Sequence, residues 1–223
     1  MLYIVPTPIG NLEDITLRAV EVLRTVDYIL AEDTRTTRKL LDHLGIANAL
    51  TAYHAHNEHK LTPRVVYELQ EGAEVALVSD AGTPGISDPA YLLVRACQEA
   101  GVTVTCLPGP TAVVPAIVLS GFPMDRFHFE GFLPHKKGRA TRWKALSGLD
   151  STLVLYESPH RIVKCLSEAQ THLGPERPVA VVREISKLHE EVHRGSVTEV
   201  LKFFQDTPAK AKGEVVVIFG RPV

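Results

Sequence analysis

The sequence predicts an α/β protein with a mostly parallel first sheet, followed by a smaller α/β layer whose sheet is mixed. Three observations carry that reading. Short apolar runs such as Val75–Val78 show the unbroken hydrophobicity of strands buried on both faces. Segments with apolar residues at helical spacing alternate with them. Strand after strand then runs out into a turn rich in proline and glycine, at the edge where open α/β sheets bind ligands.

Leu2 to Val5 reads as the first strand, and Pro6-Thr7-Pro8-Ile9-Gly10-Asn11-Leu12 as its turn. Two prolines set that backbone before any ligand arrives. Asp14 is the expected cap of a helix with Leu17, Val20 and Leu23 on one face. Tyr28 to Ala31 is the second strand, with Glu32-Asp33-Thr34-Arg35 at its carboxyl end and Thr34 capping the next helix. Ala49 to Tyr53 forms a third strand and Thr62-Pro63 opens a helix. Val75 begins the strand that leads into Ser79-Asp80-Ala81-Gly82-Thr83-Pro84-Gly85-Ile86-Ser87-Asp88-Pro89. Asp88 suits an N-cap and Pro89 a first helical position. Leu92, Leu93 and Ala96 continue that helix until Gly101 stops it.

Val102 to Leu107 is the next strand, ending in Pro108-Gly109-Pro110-Thr111-Ala112. The alternation pauses at Gly121-Phe122-Pro123, which divides the chain into domains 1–118 and 119–223. Arg126 to Leu133 alternates and is aromatic, hence a strand. Thr152 to Tyr156 is another, and Glu157-Ser158-Pro159-His160-Arg161 starts a helix. Val179 to Val182 leads into the segment from Arg183 to Glu191, and Glu214 to Gly220 closes the sheet.

With 223 residues, 45% hydrophobic and 22% charged, the composition is that of an ordinary globular protein. The apolar run from Ala112 to Leu119 is broken by Pro115 and too short to span a bilayer. Met1-Leu2-Tyr3-Ile4-Val5 lacks the basic region of a signal peptide, so the expected location is cytoplasmic, without a membrane partner. Cys97, Cys106 and Cys165 have no CxxC spacing and read as reduced and buried. His54, His56 and His59 have no cysteine or carboxylate pattern beside them, so no metal is expected. A net charge of −2 gives no global attraction to nucleic acid, and such a partner needs a local patch.

The turns after Val5, Val78 and Leu107 carry no lysine or arginine, and neither GxxxxGK[ST] nor GxGxxG occurs. Aspartates beside glycines suit a neutral or cationic ligand better than a phosphate. S-adenosylmethionine fits, with a sulfonium, an ammonium, a ribose diol and a single carboxylate. Gly82 and Gly85 can instead merely shape a loop, but three such turns at one sheet edge favour a pocket. Glu32 and Asp33, beside Arg35, Arg38 and Lys39, read alone as solvated ion pairs. Five cations (Lys136, Lys137, Arg139, Arg142, Lys144) surround Trp143 with no acid between Gly131 and Leu149. That stretch reads as an anion-binding patch or as a solvated face.

PTPIGNL, AEDTR, SDAGTPGISDP, LPGPTA, YESPHR and REISKLHEE, in this order, resemble the tetrapyrrole methylase superfamily. Within it they most resemble the ribosomal RNA small-subunit methyltransferase I family, over essentially the whole chain. The resemblance implies two α/β domains, a homodimer, and S-adenosylmethionine in the cleft between the domains. It implies methylation of a cytidine 2′-hydroxyl in the decoding region of small-subunit rRNA. Cofactor contacts then fall on Pro8, Gly82, Thr83, Pro84, Ser87, Thr111 and Ala112, with Asp80 beside them, and on Glu157, Ser158 and Ile185. Asp33 is the first choice of general base and Glu157 the second. Lys187 and Arg35 would ease a developing alkoxide or hold a phosphate, and Lys136, Lys137, Arg139 and Arg142 would meet RNA phosphates. Thr36 stands where the family often has His, and Ala90 where Gly is usual. Relatives also usually carry a further small segment after the last strand. The alternatives are a tetrapyrrole-precursor methyltransferase and a non-catalytic S-adenosylmethionine-binding module.

Overall fold

In the computed structural model, which describes residues 1–222, the first sheet has five parallel strands. They are β1 (Leu2–Ile4), β2 (Tyr28–Ala31), β3 (Leu50–Ala52), β4 (Val75–Val78) and β5 (Val104–Cys106), in the order β3-β2-β4-β1-β5. Between them lie α1 (Leu17–Thr25), α2 (Thr34–His43), α3 (Glu58–Gln70) and α4 (Tyr91–Glu99). All four residues of β4 are buried because both faces of the sheet are covered. Leu30, Val75 and Leu77 pack with Val65 and Leu69 of α3 and Leu93 and Cys97 of α4. Ile29, Ala76 and Val78 pack on the opposite face with Ala19 and Leu23 of α1 and Leu41 of α2.

The second sheet is mixed, as expected, but it is not the smaller one: it too has five strands. It contains β6 (Phe127–Phe132), β7 (Thr152–Glu157), β8 (Pro178–Arg183), β9 (Glu191–Ser196) and β10 (Val215–Phe219), ordered β6-β7-β10-β8-β9. Only β6 and β7 run parallel; the other neighbours are antiparallel. α6 (Arg139–Ser147), α7 (Ile162–His172) and α8 (Val197–Asp206) close one face over Leu153, Leu155, Val181 and Val217. α5 (Val113–Ser120) packs against β8 and β10. The chain accordingly divides into a unit of Met1–Thr111 and a second from Ala112 on, at the start of α5. The pause in the sequence pattern pointed to the end of that helix.

Local chemistry moved several expected boundaries. Thr16, not Asp14, caps α1, accepting the Ala19 amide at 3.1 Å. Asp33, not Thr34, caps α2 through the Arg35 amide at 2.8 Å. Asp88 and Pro89 stay in the loop, and α4 begins after Ala90. α3 starts at Glu58, so Pro63 lies inside it. β9 and α8 were not expected, although Ser196 and Glu199 form a capping box whose S-x-x-E spacing is legible. Cys97 and Cys165 are buried, but Cys106 is exposed on the edge strand β5. Among the described residues no helix is long and apolar enough to cross a membrane.

Candidate active site

Neighbouring strands β1 and β4 send their helices to opposite faces of the first sheet, α1 to one and α4 to the other. A crevice between parallel strands opens at such a switch point, at their carboxyl ends. The turns that follow these two strands are the first and central loops of the sequence. They are stitched together: the Thr7 amide donates to the Gly82 carbonyl and the Gly82 amide to the Thr7 carbonyl, each at 2.9 Å. The Thr7 hydroxyl donates to Ser79 O at 3.1 Å. The third turn joins through the Thr83 hydroxyl, which donates to Pro110 O at 3.0 Å.

The structure therefore brings Pro8, Asp80, Gly82, Thr83, Pro84, Ser87 and Thr111 onto three loops that touch. Gly82 has φ +81°, and a Cβ there would meet Ile9 Cγ2 at 3.4 Å and lie 4.0 Å from Thr111 Cα. The glycine is thus required by the loop backbone itself, and a Cβ at this position would already touch the neighbouring loops, leaving a larger side chain to extend beyond it. Ser87 holds φ +75°, an unusual conformation for a non-glycine residue that marks this loop as constrained. Ala112 caps α5 and belongs to the second unit.

Carboxylates crowd the same edge. The Glu32 carboxylate accepts the Asp80 amide, while the Asp33 amide donates to Asp80 Oδ1 at 3.1 Å. Burial and the nearby charge of Glu32 push the Asp88 carboxyl up to about 6. Burial and the charge of Asp80 also raise Glu32. Arg35 does not neutralise this group, because it is engaged by Asp33, Nη2 to Oδ2 at 2.7 Å and Nε to Oδ1 at 3.1 Å. These bonds, with the Arg35 amide, hold the Asp33 carboxyl down at about 2. A carboxylate that acidic is a poor proton acceptor, which weighs against Asp33 as general base. Glu32 and Asp88 were noticed in the sequence only as an ion-pair member and a cap. The usable signal was that both stand on turns leaving the carboxyl ends of strands.

Asp88 makes stability depend on pH. Its folded value of about 6 lies above the ordinary 3.8, so its contribution is complete below about pH 4 and is lost as pH rises through 6. Asp88→Asn is therefore expected to match the unaltered protein at about pH 4 and to exceed its stability at about pH 7.5. Urea denaturation at the two pH values reads this out, and an equal or lower midpoint for the variant at the higher pH would refute it.

In the second unit Glu157, Arg139, Arg142 and Lys187 are held in ion pairs with other side chains. Glu157 ends β7 with a side chain only 1% exposed. Its Oε2 accepts from Arg139 Nη2 at 2.9 Å, and its Oε1 from Arg161 Nε and the Ser158 amide, both at 2.8 Å. Arg139 also bonds Glu168 at 2.6 Å and Pro134 O at 3.2 Å. Arg139, Trp143 and Leu146 recur at helical spacing and form the buried face of α6. Trp143 is thus a core residue that donates to Glu168 at 3.0 Å, not a member of a surface patch. Arg142 is exposed but chelates Glu130. Only Lys136, Lys137 and Lys144 of the basic stretch are both exposed and outside the ion pairs found among the described residues.

Lys187 sits in the β8–β9 hairpin, 3.1 Å from Glu184 Oε1 and 3.0 Å from Glu214 Oε2. Ile185 beside it is buried, between Glu184 and Ser186, which both have positive φ. Among the described residues no group of three or more histidine, cysteine or acidic side chains is arranged to hold a metal ion.

Residues 1–201 match the family described as Tetrapyrrole (Corrin/Porphyrin) Methylases. The chain is 51% identical over 218 residues to a "Ribosomal RNA small subunit methyltransferase I" of Escherichia coli O157:H7, covering 97% of this chain and 76% of that protein. It is 47% identical over 223 residues to the protein of the same name from Synechocystis sp., covering 100% of this chain and 80% of that one. Among solved structures, diphthine synthase superposes with a TM-score of 0.73 at 14% identity, over 98% of this chain and 89% of that one. Uroporphyrin-III-C-methyltransferase from Thermus thermophilus gives 0.68 at 21%, over 98% and 93%. These two likenesses carry the fold alone. The matched family and the identity to full-length relatives place this chain in the tetrapyrrole methylases, as a methyltransferase of the ribosomal RNA small-subunit methyltransferase I family.

Proposed function

We propose that this methyltransferase uses S-adenosylmethionine to methylate the ribose 2′-hydroxyl of a cytidine in the decoding region of small-subunit rRNA. The observation that carries the cofactor is the set of three stitched loops at the β1–β4 switch point, lined by Glu32, Asp80 and Asp88 and short of free cations. Backbone groups at Pro8, Gly82, Thr83, Pro84, Ser87, Thr111 and Ala112 hold it, and the carboxylates favour its positive charges. The cofactor supplies a methyl group on a sulfonium, a good leaving group for in-line attack by oxygen. Holding the hydroxyl in line supplies roughly 7–11 kcal/mol, against about 3–5 kcal/mol for a base worth 10²–10⁴-fold. Loop rigidity is thus the protein's larger contribution. A small-subunit rRNA substrate follows the relatives' name and the identity to them, and the cytidine 2′-hydroxyl in the decoding region is what the motif resemblance adds.

Label transfer from methyl-labelled cofactor tests the reading, with naked rRNA, assembled small subunits and a tetrapyrrole precursor offered separately. Incorporation into rRNA in either form is expected. Incorporation only into the tetrapyrrole makes the chain a pigment-precursor enzyme, and cofactor binding without any transfer makes it a sensor. The protein is further proposed to act as a homodimer, with light scattering giving about twice the chain mass; a monomer at low micromolar concentration would reject this.

A further inference from the structure

β6 and β7 are parallel neighbours, so their carboxyl ends emerge side by side. Both ends carry basic side chains: Lys136 and Lys137, with His135, after β6, and Arg161, with His160, after β7. Arg161 Nη1 lies 2.6 Å from His135 Nδ1, which ties the two loops together. Their acidic neighbours are already compensated, Glu157 by Arg139 and Arg161, Glu130 by Arg142.

The strands beneath these loops present aromatic rings. Strand alternation alone would turn Phe132 away from Phe129. A bulge between Phe129 and Gly131 inserts one residue, and Gly131 takes φ +70° to allow it. Phe127, Phe129 and Phe132 then oppose Thr152, Val154 and Tyr156, all on one face. The ring of Tyr156 lies 5.0 Å from Phe129 and 5.6 Å from Phe132. α5 covers β8 and β10 of the sheet, yet Phe127 remains 45% and Phe132 52% exposed.

We propose that the Phe129–Tyr156–Phe132 row, with Lys136 and Lys137 at its end, is a platform on which unpaired RNA stacks its bases while the two lysines meet its phosphates. This rests on the rRNA reading above. The partner is identified by charge complementarity and by the rings: aromatic faces accept splayed bases of single strands, whereas duplex bases are already stacked.

Fluorescence anisotropy with a labelled single-stranded RNA, and with the same strand annealed to its complement, tests the platform. Phe132→Ala is expected to weaken single-strand binding roughly 5- to 150-fold and duplex binding little, and Phe132→Trp to restore it. Lys136→Glu with Lys137→Glu should lower affinity and flatten the log–log salt slope by about one to two units. S-adenosylmethionine titration of each variant should match the unaltered protein, which also establishes folding. Unchanged RNA affinity in Phe132→Ala, with the unaltered protein binding RNA, overturns the platform alone. Loss of RNA affinity together with loss of the dimer overturns it too, and makes the row an interface between copies. If the unaltered protein binds neither RNA, the rRNA reading fails and the platform with it.

Discussion

Glu157→Ala is expected to lower stability by about 3–5 kcal/mol, the cost of removing one partner from a buried ion pair. Two guanidiniums converge on this carboxylate, and Arg139, its side chain only 4% exposed, would be left with Glu168 as its one carboxylate partner among the described residues. Arg139 also holds the Pro134 carbonyl, so the loop bearing Lys136 and Lys137 should loosen at the same time. Urea denaturation with an unchanged slope and a lower midpoint is the expected reading. The test separates two accounts of the same residue. A Glu157→Gln protein of full stability that has lost turnover would return Glu157 to the chemistry.

Gly82→Val is expected to abolish cofactor binding and to cost about 1–3 kcal/mol from the forced left-handed backbone. The Cβ would already touch Ile9 at 3.4 Å, and the valine methyls would extend beyond it within a loop bonded to Thr7 through both the Gly82 amide and carbonyl. A shift of about 1 Å in such a positioning loop lowers turnover roughly 10²-fold. Gly82→Ala should fail almost as badly, because φ +81° is the constraint and bulk only adds to it. Calorimetric titration with S-adenosylmethionine measures both variants; near-normal affinity in the alanine variant would contradict the account.

How far the sequence could be read depended on the range of the interaction. The buried strands Leu2–Ile4 and Val75–Val78 announce themselves by unbroken apolar runs, and the three turns by their prolines and glycines. Their convergence was inferable because parallel strands carry their following turns to one edge. The partners of single charges were not legible. Arg139 looked like a member of a basic run, but its spacing to Trp143 and Leu146 is that of a core face, and its partners Glu157 and Glu168 are distant in sequence. Asp33 looked like a base at a ligand edge, and the fold makes it a cap clamped by Arg35. The aromatic row was hidden for a related reason: one bulge at Gly131 decides which face Phe132 joins.

The position of the transferred methyl group tests the central claim most directly. A ribose 2′-O-methyl group blocks attack of that oxygen on the neighbouring phosphodiester, so the linkage survives alkali. After label transfer to small-subunit rRNA, alkaline hydrolysis is expected to leave the label in a resistant dinucleotide whose first residue is cytidine. Label released in a mononucleotide would place the methyl on a base and contradict the account.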